Sequence, residues 1–199
     1  MKCCSTEWRK ICEVCLAEKS RNPIEIMCEL MDLDFCNIHG CEHHTMVVAA
    51  LLTAYFNTIS EANSKGIAGA AVSTCDFGNK VPVNLEEALQ RLETKAELKI
   101  GGGCDYWKAC GAIDGVLMFW NVLSEFVSLP DISPMEIGNA VGSVGGPRCC
   151  KRSSYLAIIK TTELVKKYLG VEMELQDIFV CKYSTLNTDC IKEDCPFCV

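Results

Sequence analysis

Four short stretches of this chain gather the residue types that hold metals and move protons. The tail reads Cys190-x4-Cys195-x2-Cys198, with Cys181 upstream. That spacing matches the first three ligands of a plant-type ferredoxin run. Soft, anionic sulfur stabilises iron–sulfur clusters, and the same thiolates would serve a zinc knot, so spacing alone leaves both open. A second stretch, Cys36-Asn37-Ile38-His39-Gly40-Cys41-Glu42-His43-His44, contains all three histidines of the chain. A lone histidine is usually a satisfied polar residue, whereas three beside two cysteines point to a metal or proton-transfer site. Cys36 and His39 are its metal candidates. His43 and His44, in the first turn of a helix, are its proton-transfer candidates, because the helix dipole there favours a neutral imidazole.

The third stretch is Gly145-Gly146-Pro147-Arg148-Cys149-Cys150-Lys151-Arg152. Two cysteines at a helix opening, flanked by three cations, should have at least one thiol biased toward thiolate. The free backbone N–H groups of that opening could hold an anion instead. Neighbouring Cα atoms lie only ~3.8 Å apart, which disfavours an ordinary disulfide between the pair. The expected roles are Cys149 with Arg148 and Arg152 in catalysis, and Cys149 and Cys150 as metal ligands. The fourth stretch, Gly101-Gly102-Gly103-Cys104 with Cys110-Gly111, allows close backbone approach and makes Cys104 a ligand candidate. Cys12-x2-Cys15 is a further metal clip of moderate specificity. No P-loop, Gly-x-Ser-x-Gly elbow or complete dinucleotide fingerprint occurs.

The elements that must hold these groups are mostly helical. The first forty residues read as a loop-rich cap with one short helix around Ile24 to Met31. From His43 to Ser60 a broad apolar stripe predicts a buried helix, and Gly66 to Ser73 reads as a packed helix or a short buried strand. Asn84 opens a helix to about Leu98. A core helix carries Ala109, Ile113, Val116, Trp120, Leu123 and Val127, and the Ser133-Pro134-Met135-Glu136 box opens another that stops at Gly145-Gly146-Pro147. Pro147 then reads as the first residue of a helix running to Leu169, with Gly170 as its stop. Val171 to Leu175 alternates like an edge strand. The expected fold is one mostly α domain over 1–199, with a cysteine-rich segment at 1–41, a helical core at 42–170, a cysteine-rich tail at 171–199, and at most a minor β element.

Composition narrows the function. The 199 residues carry 19 Lys+Arg against 26 Asp+Glu, a net charge of −7, which disfavours nucleic acid as a partner. The 16 cysteines, without an apolar leader or a span of about 18 apolar residues, read as reduced thiols of a soluble cytoplasmic protein that needs no membrane.

In order, His39-Gly40-Cys41-Glu42-His43-His44, Gly102-Gly103-Cys104 with Ala109-Cys110-Gly111-Ala112, Gly145-Gly146-Pro147-Arg148-Cys149-Cys150-Lys151-Arg152, and Cys190 with Cys195-Pro196-Phe197 resemble a cysteine-rich family of anaerobic bacteria and archaea, classed as a domain of unknown function. The resemblance covers roughly residues 36–198. Fusions of some relatives to methyltransferase-like domains imply one-carbon or thiol metabolism without naming a reaction.

The expected activity is therefore that of a metal-dependent thiol, redox or sulfur-handling enzyme acting on a small sulfur-containing or anionic substrate. An iron–sulfur cluster would be held chiefly among Cys104, Cys149, Cys150, Cys181, Cys190 and Cys195, with Cys198 and Cys36 as further ligands. The alternative is a zinc-stabilised binding or carrier module without catalysis, and a third reading is a dithiol switch at Cys149 and Cys150. Expected partners are a small-molecule substrate or a redox protein, and formation of a homo-oligomer stays open.

Overall fold

The computed structural model describes residues 5–65, 84–98, 110–129, 132–176 and 179–198. Among these residues seven helices follow in order: α1 (Ser5–Ala17), α2 (Pro23–Met31), α3 (Glu42–Ser64), α4 (Leu85–Leu98), α5 (Gly111–Leu123), α6 (Pro134–Gly142) and α7 (Cys150–Leu169). One 3-10 turn, Lys192–Asp194, interrupts an otherwise irregular tail.

α3 is the axis of the fold. It is buried on every side from Thr45 to Tyr55, as a helix apolar around its whole circumference must be. It packs against α1, α2, α4, α5 and α7. Each fully buried leucine of this helix, such as Leu51 or Leu52, contributes about 1.5–3 kcal/mol. The crossing of α3 with α5 is close because α5 offers glycines four residues apart. A Cβ at Gly115 would meet the His44 carbonyl at 2.5 Å and Val47 Cβ at 3.3 Å.

Three helices begin with side-chain caps, two of which, Asn84 and Ser133, the sequence announces. Asn22 Oδ1 accepts from Ile24 N at 2.9 Å, Asn84 Oδ1 from Glu87 N at 2.9 Å, and Ser133 Oγ from Met135 N at 3.3 Å. Gly170, in the left-handed region at φ 66°, ends α7.

Several expectations need correction. Residues 5–17 form a helix instead of a loop, with Trp8, Ile11 and Cys15 buried on one face. Cys12 and Cys15 act there as small core hydrophobes, and burial first of all pushes their thiols up, to about 11 and about 12. α6 stops at Gly142, short of the Gly145-Gly146 turn, and α7 starts at Cys150 with Cys149 as its N-cap, so Pro147 lies outside it. α5 ends at Leu123, before Val127. Val171 to Leu175 pairs with no strand among the described residues; it runs beside the α1–α2 connection, where Glu174 N donates to Arg21 O at 2.9 Å. The Gly66 to Ser73 segment lies outside the described residues.

Candidate metal centre and adjoining pocket

The tail has little regular structure, and what positions its cysteines is aromatic packing and short turns. Phe179 and Phe197 close on the buried ring of Tyr155 in α7, with centroids 4.5 and 5.4 Å away. Cys181 N donates to Phe197 O at 2.6 Å, tying the two ends of the tail together. Turns then set Cys190 N on Asn187 O at 3.1 Å and Cys195 N on Lys192 O at 2.8 Å. Gly146 (φ 102°) lets the loop before α7 approach the tail, since a Cβ there would meet Ile191 Cγ2 at 2.7 Å.

The result is a small cavity of about 10 Å³ walled by Cys149, Cys181, Cys190, Cys195 and Cys198. Residues far apart in the chain thus meet at one place, the start of α7 and the tail. The rest of the wall includes Lys151, Arg152 and Asn187. Cys149 Sγ accepts two N–H groups, from Arg152 N and from Asn187 Nδ2, each at 3.5 Å. Asn187 is held in that orientation because its Oδ1 accepts from Asp189 N at 3.0 Å.

The charges around this cavity are unusual. Lys151 is only 1% exposed and Arg152 only 6%. Among the described residues neither pairs with a carboxylate: Arg152 Nη2 donates to Pro147 O at 2.8 Å, and Lys151 Nζ donates to Cys36 Sγ at 3.2 Å and lies 4.5 Å over the Tyr183 ring. Buried cations demand counter-charge: the cysteines of the wall can supply it as thiolates, and the Asp32 carboxylate, bonded to Tyr183, also acts on Lys151 electrostatically. Metal-free thiols would resist ionising together: burial pushes the Cys181 thiol up to about 11, and the sulfurs of Cys149, Cys195 and Cys190 push it the same way.

A second cavity, of about 290 Å³, shares Cys149 and Arg152 with the first. Its walls explain the remaining helix starts. α3, α5 and α7 have cysteines as N-caps: Cys41 and Cys110 make no side-chain cap bond, and Cys149 caps through sulfur. Residues of all three openings line the same cavity, namely His43 and His44, Cys110 and Gly111, and Cys149 and Cys150, with Arg148 beside them. Three positive dipole ends with incompletely capped N–H groups suit an anion better than a cation. Ser154 adds a polar group: its Oγ is buried on the cavity wall without a hydrogen-bond partner among the described residues. The His44 ring lies on Gly111, where a Cβ would overlap it.

The expected site residues therefore divide. Cys149, Cys181, Cys190, Cys195 and Cys198 share the small cavity; Cys150, expected with them, lines the larger pocket instead, as do Arg148, His43 and His44. Arg152 borders both cavities. Cys36 lies next to His43, with Cys36 Sγ 3.9 Å from His43 Nε2. His39 borders neither cavity. Cys104 falls outside the described residues. Asn187 and Ser154 carry no sequence signal as members of the site. The run of cysteine N-caps at residues 41, 110 and 149 was not legible, because serine or asparagine is the ordinary choice there.

A family model described as a family of unknown function, DUF5714, matches residues 11–76 and 67–198. No curated protein and no solved structure shows a significant match. Among the described residues no helix is long and apolar enough to cross a membrane.

Proposed function

Since the chain belongs to DUF5714, a family of unknown function, its activity must be read from the site itself, and we propose a metal-dependent thiol or sulfur-handling enzyme whose cysteine cavity holds an iron–sulfur cluster. One observation carries this reading: five cysteines and two buried cations without carboxylate partners among the described residues surround one cavity, and that cavity shares Cys149 and Arg152 with a pocket of about 290 Å³. Cys149, Cys181, Cys190 and Cys195 are the ligands, with Cys198 beside them in the cavity wall.

When bound, such a cluster supplies electron transfer or a Lewis-acidic iron beside the pocket. The chain's own residues do the rest. Arg148 and Arg152 neutralise a small anionic or sulfur-containing substrate, and the open N–H groups of α3, α5 and α7 hold its oxygens. Cys150 presents a thiol to it, and His44, fixed against Gly111, moves the proton. His43 is less suited to that task, because burial and then the Lys151 ammonium hold its imidazole neutral, down to about 3. Electrons or sulfur would come from a small molecule or a redox partner protein.

A zinc-stabilised binding module is the second reading, favoured by the small volume of the cavity, about 10 Å³, room for about one water-sized sphere. One experiment separates the two. Protein purified without oxygen should contain iron and acid-labile sulfide, with visible absorption that bleaches on reduction, and Cys190→Ser and Cys195→Ser should lose all three. Colourless protein that takes up neither iron nor sulfide on reconstitution, but holds zinc at these cysteines, would establish the binding module instead.

A further inference from the structure

The segment Cys36 to His43 holds a group of donors that the cysteine cavity does not use. One donor atom each from Cys36, Glu42 and His43 lie within 4.8 Å of one another, the only such triad among the described residues. They come from the turn before α3 and its first residues, so the start of one helix fixes their relative positions. We propose that Cys36, Glu42 and His43 bind a single zinc ion at a site distinct from the iron–sulfur cavity, with His39 of the same loop as the fourth donor. The inference concerns these four residues alone and stands whether or not the cysteine cavity holds iron.

Each ligand is already prepared. His43 Nδ1 lies 3.2 Å from the Gly40 carbonyl, to which it donates. That contact fixes the tautomer and leaves Nε2 with a lone pair, 3.9 Å from Cys36 Sγ. A backbone carbonyl on the far nitrogen is the usual support of a zinc-bound imidazole. The Glu42 carboxylate accepts from Asn37 N at 2.7 Å and rests on Gly40, where any Cβ would overlap it. Lys151 Nζ donates to Cys36 Sγ at 3.2 Å, a contact that favours the thiolate and serves as an outer N–H···S bond to a metal-bound sulfur.

His39 supplies the independent pointer to a ligand. Its Nδ1 is buried with no hydrogen-bond partner among the described residues, three positions before Glu42 in the loop that leads into α3. A mixed S, O, N set suits zinc, a borderline ion, better than iron–sulfur clusters or the hard cations. Tetrahedral bonds of about 2.0–2.3 Å separate ligand atoms by about 3.3–3.8 Å, so closing the triad takes shifts of about 1 Å.

The test reads zinc and iron separately on the full-length protein. Wild type should bind one equivalent of zinc that Cys36→Ala and His43→Gln lose while keeping whatever iron the wild type holds, whereas Cys190→Ser keeps that zinc. Zinc lost from Cys190→Ser but kept by Cys36→Ala would overturn the proposal. Folding defects do not obscure the result if wild-type protein is alkylated with and without zinc and read peptide by peptide. Cys36 should be modified at least tenfold more slowly with zinc present, and no change in its rate sinks the site.

Discussion

Lys151 is the residue on which the two sites lean in common, and its environment sets a test of sign. Its ammonium is buried between the Cys36 sulfur and the Tyr183 ring, next to the cysteine cavity. Tyr183 is itself held by Asp32, its hydroxyl donating to Oδ1 at 2.8 Å. Without metal the thiols around Lys151 are largely protonated, burial being the main reason that Cys36 and Cys181 are raised, so the ammonium lacks full compensation. A buried charge without full compensation carries a desolvation cost that an apolar chain of similar length does not carry. Lys151→Met should therefore leave metal-free protein as stable as wild type or more so in urea denaturation. In metal-loaded protein the thiolates are anionic, and the same substitution should lower stability and hasten metal loss to a chelator. Equal effects on both forms would show that Lys151 does not answer thiolate charge.

At the scale of elements, α5 separates packing from positioning. Gly115 and Gly111 both face α3, but a Cβ at Gly115 meets first the backbone carbonyl of His44, whereas one at Gly111 meets first the far end of its ring. Backbone cannot yield, so Gly115→Ala should cost about 1–3 kcal/mol through overpacking. A ring can rotate away, and alanine's helix propensity returns up to about 1 kcal/mol. Gly111→Ala should consequently fold with near wild-type stability in thermal melts yet lose anion binding in the larger pocket, because His44 no longer sits on the opening of α5. Loss of stability in Gly111→Ala matching that of Gly115→Ala would contradict this division.

The same elements mark what could be read beforehand. The bodies of α3, α5 and α7 follow from apolar periodicity, and the caps Asn84 and Ser133 fix the starts of α4 and α6. α1 is hidden because Cys12 and Cys15, which complete its apolar face with Trp8 and Ile11, look like ligands rather than core residues. The start of α7 is displaced because Cys149, an unusual N-cap, outcompetes Pro147. For the site, the types and sequence clustering of cysteine, histidine and arginine were legible, but not which cysteines meet, such as Cys149 with the tail. Nor was the separation of Cys149 from Cys150. It depends on the N-cap sulfur turning back to Arg152 N, toward the tail, while Cys150 opens onto the larger pocket.

The whole molecule combines a helical body centred on α3 with a tail that has almost no regular hydrogen bonding of its own. The body buries a continuous apolar core, whereas the tail is fastened mainly by Phe179 and Phe197 on Tyr155 and by Lys182 and Tyr183 on Asp32. Elements with few buried contacts open first, and a metal bound by groups on both sides of a joint adds its binding free energy to that joint. Cys149 stands on the body, and Cys181, Cys190 and Cys195 on the tail, so metal at the cysteine cavity would fasten one to the other. Stripping the metal anaerobically should raise amide exchange in residues 181–198 by at least tenfold, with α3 still protected and far-UV circular dichroism nearly unchanged. Exchange rising equally in α3 would mean that the metal supports the entire core. Exchange unchanged in the tail would mean that these cysteines do not bridge tail and body through a metal, and the proposed cluster would go with it.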